Sequence, residues 1–281
     1  MCMGLGCNAA GVTGCRIIDS PRERLIATLT ASLMPCNGKF PTLIALLSLG
    51  LMAGGGAAGS LASAALLLGA LLLAALVTLL SSRLLAATVL RGTPSSFTLE
   101  LPPFRLPQVR QVLVRSLLDR TLFVLGRAVC VAAPAGAVIW LLAHITLGDA
   151  TLLARLSALL DPAARLFGLD GVILLAFILG WPANEIVIPI MLMAYLNLGT
   201  LVSYGDLHAL GALLTQQGWT WVTAACTLLF SLFHWPCSTT CITLYKETGS
   251  LRWTLLAAAL PTAIGLMLCA LVAAAARVIG A

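Results

Sequence analysis

The sequence predicts an all-α, polytopic transmembrane bundle of about six spans, two of them broken, with an internal repeat. Three observations carry this. Apolar residues fill 60% of the 281 positions and charged residues only 9%, against about 25% charged in a soluble domain. Apolar runs recur at about the 20-residue length that a helix needs to cross a bilayer. Two of those runs hold a proline among polar side chains, and proline removes a backbone donor and frees a carbonyl in the turn before it.

The elements are taken in chain order. Residues 1–40 are polar by comparison and open with Gly4-Leu5-Gly6-Cys7-Asn8, then Gly11, Thr13 and Gly14. These glycines predict close backbone approach and left-handed turns. With no strand before it, the Gly-x-Gly pattern is a poor dinucleotide loop. Met34-Pro35-Cys36-Asn37 precedes the first span, 41–58, and Gly54-Gly55-Gly56 turns the chain into the second, 61–82. A loop with Pro94, Pro102, Pro103 and Pro107 leads into a basic amphipathic stretch, 108–120. The third span is 121–147, with a kink expected at Pro134 and Gly136. Leucines on one face of 151–160, closed by Asp161-Pro162, predict a helix lying in the membrane interface. The fourth span, 171–198, is interrupted at Gly180-Trp181-Pro182-Ala183-Asn184-Glu185. A short amphipathic piece, 206–217, precedes the fifth, 219–245, interrupted at His234-Trp235-Pro236-Cys237. The last span is 253–276.

Charge sets orientation. The net charge is +6, and arginines and lysines cluster: Arg16, Arg22, Arg24 and Lys39, then Arg83, Arg91, Arg105, Arg110, Arg115, Arg120 and Arg127. Flanking spans rather than paving a soluble face, they read as cytoplasmic loops and not as a nucleic-acid surface. A simple span count then puts 246–252 outside, with Lys246 and Arg252 against the positive-inside rule. A fold-back at Pro182 would reverse that last part. Aligning Cys7 with Cys237 sets Thr13 on Thr243, Arg16 on Lys246, Arg22 on Arg252 and Leu25 on Leu255. In the simple count the two copies point in opposite directions, as inverted transporter repeats do.

Ionisable and soft side chains at membrane depth are costly unless a substrate or partner uses them. His234, Cys237 and Cys241 would share one face of an unbroken helix; Pro236 loosens that face but keeps them near one another. Imidazole and thiolate suit iron(II), zinc or copper(I), while the structural alternative is a packed cysteine and a histidine bonded to a freed carbonyl. Glu185, set among Leu, Ile and Val, would bind a cation, relay a proton or pair with an arginine such as Arg127. Cys36 lines a pore mouth or packs. The nine cysteines are odd in number and partly inside apolar runs, which excludes a secreted disulfide framework. Cys130, Cys226 and Cys269 read as small packing residues, and His144 and His208 as interfacial or solvated. No phosphate loop, nucleophile elbow or zinc-protease motif occurs, so the chain reads as a non-enzyme.

These motifs resemble one family. Gly4-Leu5-Gly6-Cys7-Asn8, Arg16-Ile17-Ile18, Arg22-Glu23-Arg24 and Pro35-Cys36 through Phe40-Pro41 look like the end of the first gate region of the ferrous iron transporter FeoB family. Gly180 through Pro189 and His234 through Thr240 are similar to its second gate region. The resemblance implies residues 1–40 as the end of the first gate, 41–120 as a transmembrane hairpin and basic loop, and 121–281 as the second gate with its interfacial helix. It implies iron(II) import across a bacterial cytoplasmic (inner) membrane. Cys7 and Cys237 match gate cysteines, Cys36 a further one, and Asn184 and Glu185 polar gate positions, on a path completed by His234 and Cys241. Gly4, Gly6, Pro182 and Pro236 would shape the gate backbone. Ala9 and Ala10 stand where the family often has proline. Iron(II) would be cargo, with no permanently bound cofactor. The family's GTP-binding domain, helical spacer and earlier spans have no counterpart in this sequence, which is expected to be a split subunit or a truncated reading frame. The implied partners are lipid, a GTP-binding chain or the missing N-terminal half, and a second copy of the chain, with no nucleic acid. Two other readings stand beside this one: a gate-type transporter of a nucleoside or other organic solute, and a membrane subunit or fragment that transports nothing.

Overall fold

A computed structural model describes residues 2–51, 57–92, 108–115, 123–148, 150–196 and 207–279. It is all-α apart from one two-residue antiparallel pair, Thr146–Leu147 with Ala150–Thr151. The chain begins with two short helices, α1 (Cys2–Gly6) and α2 (Asn8–Gly14). Then come α3 (Pro21–Thr30), α4 (Phe40–Leu51), α5 (Ala57–Ala87), α6 (Val109–Arg115) and α7 (Phe123–His144). The second part holds α8 (Leu152–Leu166), α9 (Gly171–Leu179), α10 (Val187–Tyr195), α11 (Leu207–Gln216), α12 (Trp221–Phe233), α13 (Ser238–Thr248) and α14 (Leu251–Ile279). The expected Gly54-Gly55-Gly56 turn, the four-proline loop and part of the basic stretch lie outside the described residues.

Two long apolar helices organise the rest. Among the described residues, Gly59–Ala87 and Leu251–Ile279 are each long and apolar enough to cross a membrane alone. The other expected spans are built from shorter pieces. α3 and α4 run antiparallel along α5: Arg22 donates to the Leu90 and Ala86 carbonyls, Ser82 Oγ to Thr30 Oγ1, and Leu43 packs with Ala70 and Ala74. α3 and α4 thus follow one another along α5 with an interruption at 31–39, whereas hydropathy alone starts the first span at 41. α12 and α13 run along α14 in the same way. Cys226 meets Cys269, Gly265 lies under Phe233 where an added Cβ would stand 3.1 Å from the Phe233 carbonyl, and Leu244 clusters with Ala257.

Residues 171–195 behave differently. The Tyr195 hydroxyl at the end of α10 donates to the Asp170 carboxylate, which also caps the start of α9 through Ile173 N–H at 2.7 Å. Trp219 Nε1 donates to Tyr195 Oη at 2.8 Å. The two ends of this segment are thus adjacent, and it folds back as a helical hairpin rather than crossing once. Each arm has 9 residues and reaches about 13 Å, close to half of a hydrocarbon core of about 30 Å. Its tip, 180–186, is thus one arm's length from the paired ends. Gly180 permits the tight reversal, since a Cβ there would stand 2.6 Å from Val187 Cγ2.

Two further expectations change. The Asp161-Pro162 pair predicts the end of α8, but the helix runs to Leu166 with Pro162 inside. Asp161 has other work: its Oδ1 accepts Gly171 N–H at 3.1 Å and its Oδ2 pairs with Arg165 at 2.6 Å. Gly168, at φ 70°, makes the turn, and α8 meets α9 at a 109° bend. The repeat keeps its register: α2 and α13 start at Asn8 and Ser238, α3 and α14 at Pro21 and Leu251, 230 positions apart in both cases. The span count gives the two copies opposite directions. Yet α2 and α13 lie side by side in the same sense, with Arg16 just past the end of one paired to Glu247 at the end of the other at 2.6 Å.

Candidate functional site

The site is the meeting of four helix breaks, each made by a local sequence signal. The first lies between α12 and α13. Pro236 has no N–H, so the helix cannot continue and the Leu232 carbonyl four residues back loses its partner. The chain turns extended at His234 (φ −74°, ψ 173°). His234 is 1% exposed, its ring 4.9 Å from that of Phe177. Its Nδ1 lies 2.9 Å from the Ser231 carbonyl and its Nε2 3.2 Å from Asn184 Oδ1.

The second break is the hairpin tip. Asn184 is buried on a 3-10 turn, and its Nδ2 lies 3.9 Å from Cys36 Sγ. The backbone of the tip holds the first break in place: Ser238 N–H donates to the Trp181 carbonyl at 3.0 Å, and Ser238 Oγ to the Pro182 carbonyl at 3.4 Å. The breaks at Pro182 and Pro236 are thus joined through Ser238.

The third break, 31–39, was not legible as one. Lys39, a loop charge by sequence, is 1% exposed. Its Nζ donates to the Leu232 carbonyl at 3.0 Å, the acceptor that Pro236 frees. Ser32 Oγ donates to the Ala257 carbonyl at 3.0 Å, and that carbonyl is freed in turn by Pro261 inside α14. One segment therefore supplies donors to two proline-orphaned acceptors. Unpaired buried carbonyls are costly, so each bond fixes the break against a neighbouring span.

The fourth break separates α1 from α2. Cys7 stands there exposed and extended (φ −154°, ψ 126°), with no side-chain cap. Asn8 is 2% exposed. With its amide turned to satisfy its neighbours, its nitrogen donates to the Gly4 and Met34 carbonyls, each at 3.1 Å. Gly11 lets α1 and α2 touch, since a Cβ on it would stand 3.2 Å from Gly4 Cα. The left-handed turns expected of these glycines are absent. Among the described residues positive φ occurs at Gly148, Gly168, Gly218 and Gly249. Gly6 faces open space, so it contributes no close approach.

Cys36, Asn184, His234 and Lys39 thus form one buried group drawn from three breaks. His234, Cys237 and Cys241 do not share a face. The half-buried Cys237 Sγ lies 3.2 Å from Thr240 Oγ1, and Cys241 donates to the Pro236 carbonyl at 3.5 Å. Glu185 is exposed, and its carboxylate lies over Gly38, where an added Cβ would be 3.5 Å from Oε1. The side chain of Arg127 is outside the described residues. Cys226 and Cys269 are fully buried, as packing residues are, whereas Cys130 is exposed. His144 is exposed and stacks on Trp140 at 4.3 Å. Among the described residues no three His, Cys, Asp or Glu side chains are gathered to hold a metal.

The chain from Ser231 O through His234 and Asn184 to Cys36 closes in two ways. With neutral imidazole, Nδ1–H donates to Ser231, and Nε2 must accept from the Asn184 amide nitrogen. The amide oxygen then faces the Cys36 thiol. With imidazolium, Nε2–H donates to Asn184 Oδ1, and the amide nitrogen donates to the Cys36 sulfur. The Asn184 amide thus has a partner in either orientation, an imidazole on one side and a thiol on the other.

Broken helices that meet and present polar side chains within apolar segments are a feature of membrane transporters. Two family models match the chain: the gate model described as nucleoside recognition over residues 125–251, and that of the ferrous iron transport protein B C terminus over 67–119. Together the two matches are consistent with the C-terminal membrane part of a FeoB-type transporter. Both matched families are transporter parts rather than catalytic domains. No curated protein and no solved structure matches it.

Proposed function

We propose that this chain carries iron(II) across a bacterial cytoplasmic membrane. The observation that supports this most is the buried Cys36–Asn184–His234 chain at the crossing of the breaks. Sulfur and imidazole favour iron(II) over magnesium, which prefers hard oxygen ligands and sheds water reluctantly. Ligands spread along the breaks suit cargo that is handed on rather than held. On this reading Cys237 and Cys241 at the break, Cys7 beside the parallel helix and Glu185 at the hairpin tip receive the ion on either side of the buried group. A GTP-binding chain would bias the breaks, a second copy would complete an oligomer, and no cofactor stays bound.

The test is iron(II) uptake in a bacterium lacking its own ferrous uptake, with the chain expressed alone and with a GTP-binding chain encoded beside it. Uptake should appear with both chains, and fall at least about tenfold in Cys36→Ser and His234→Ala, a loss equivalent to about 1.4 kcal/mol of barrier. A second reading, nucleoside transport, is favoured by the description of the model matched over 125–251. Labelled nucleoside uptake that survives Cys36→Ser, with no iron(II) uptake, would replace the first reading.

A further inference from the structure

We propose that Lys39 is a tethered cation that closes the path: its ammonium occupies the crossing of the breaks, and a divalent ion must displace it to pass. This rests on the transport reading above and adds a regulating part to the same site.

Four observations carry the inference. Lys39 is 1% exposed, although a lysine next to an apolar run ordinarily extends its head to water. Among the described residues its one direct bond is to a neutral acceptor, the Leu232 carbonyl at 3.0 Å. It belongs to neither the Arg16–Glu247 nor the Arg165–Asp161 ion pair. Its electrostatic neighbours are Cys36 and Cys237, with His234 also within its field. Those are the side chains expected to meet the cargo. A buried ammonium bonded to a neutral acceptor is a poor choice for stability alone, because burial of a charge is offset only by close partners. It is a good choice for holding a cation path shut.

Displacement follows from charge. The Leu232 carbonyl is free for a donor only because Pro236 withholds the helical one, so it can serve an ammonium or a metal ion equally. A divalent ion at Cys36 and His234 repels the ammonium and attracts the carbonyl twice as strongly as a monovalent ion does. Once Lys39 leaves, α4 is untied from α12 and the break at 31–39 is free to shift. Monovalent ions, matched in charge by the ammonium itself, gain nothing from the exchange.

The test uses the full chain in proteoliposomes with three variants. Lys39→Gln keeps a donor for Leu232 but no charge. Lys39→Arg keeps the charge. Lys39→Met removes both. Efflux of sodium, of magnesium and of iron(II) held reduced by ascorbate would be followed, together with maleimide labelling of Cys36 in a background lacking the exposed cysteines. Lys39→Gln should raise sodium leak about tenfold or more, since each 1.36 kcal/mol of barrier is a factor of ten, and should expose Cys36 to the reagent. Lys39→Arg should stay closed. Sodium leak and Cys36 protection in Lys39→Gln equal to those of the parent would overturn the proposal, and so would a leak in Lys39→Arg equal to that in Lys39→Gln. If Lys39→Met does not fold, the Gln and Arg pair decides alone. A parent chain that moves no iron(II), with Lys39→Gln still leaky, would sink the cargo and leave the lock standing. Iron(II) flux in the parent with silent Lys39 variants would do the reverse.

Discussion

Two segments of this protein carry Trp-Pro in the middle of an apolar run, and they take opposite courses. Residues 171–195 turn back at Trp181-Pro182, while 221–248 continue past Trp235-Pro236 along α14. The dipeptide is the same, so proline alone does not set the path. It breaks the hydrogen-bond ladder, and the neighbouring residues decide whether the chain returns or goes on. In the hairpin, Tyr195 ties the two ends to Asp170, and Gly180 lets the arms close. In the through-going span, α14 offers one continuous surface, with Gly265 placed under the break. A polar break can therefore deliver side chains to the site from either kind of segment. This molecule uses one of each, facing each other, and joins them through Ser238.

Five substitutions would break or sharpen this contrast. The largest effect is expected of Gly180→Val, whose Cβ would stand 2.6 Å from Val187 Cγ2 and 2.9 Å from the Ala176 carbonyl. It should cost about 3 kcal/mol of stability in a detergent melt, and abolish uptake by moving Asn184. A parent-like melting point would show that the arms do not depend on this close approach. Asn184→Leu leaves His234 Nε2 and the Cys36 thiol without their shared partner, a loss of about 2 kcal/mol, with uptake down at least tenfold. Tyr195→Phe removes the latch and should cost about 1.5 kcal/mol. Amide exchange should quicken in α9 and α10 but not in α12 and α13, and equal quickening in all four would mean that the two segments open together. Gly265→Ala meets Phe233 O at 3.1 Å and should cost about 1 kcal/mol, with exchange quickened in α12 instead. Arg16→Ala removes an exposed ion pair and should leave the melting point unchanged within error.

The fold class and the breaks at Pro182 and Pro236 were legible because both derive from what hydrocarbon refuses: few charges, and proline only where carbonyls find other partners. Cys36, Asn184 and His234 could be named as candidates, since polar atoms in apolar runs stand out. Their grouping could not be read, because it depends on three segments far apart in sequence. The hairpin at Pro182 stood only as an alternative to a span for a related reason: two arms of 9 residues sum to the length of one crossing, and composition does not distinguish a crossing from a return. Lys39 was missed because a lysine beside Asn-Gly and before an apolar run has the look of an interfacial anchor. A signal did exist. Pro236 and Pro261 each predict an orphaned carbonyl four residues earlier, and a search for buried donors to satisfy them would have turned to Lys39 and Ser32. Gly6 failed in the other direction, since a glycine-rich motif marks a crowded place without saying which of its glycines is crowded.

The hairpin also changes the parity of the chain. A segment that leaves by the door it entered adds nothing to the tally of crossings, so everything after residue 195 changes sides relative to a count that treats it as a span. Lys246 and Arg252 then join Arg16, Arg22 and Arg24 on one face, as the Arg16–Glu247 pair requires. The two basic residues that defied the positive-inside rule in the simple count then share the face that the sequence expects to be cytoplasmic. The conflict between charge and span count thus came from the count, which took a return for a crossing.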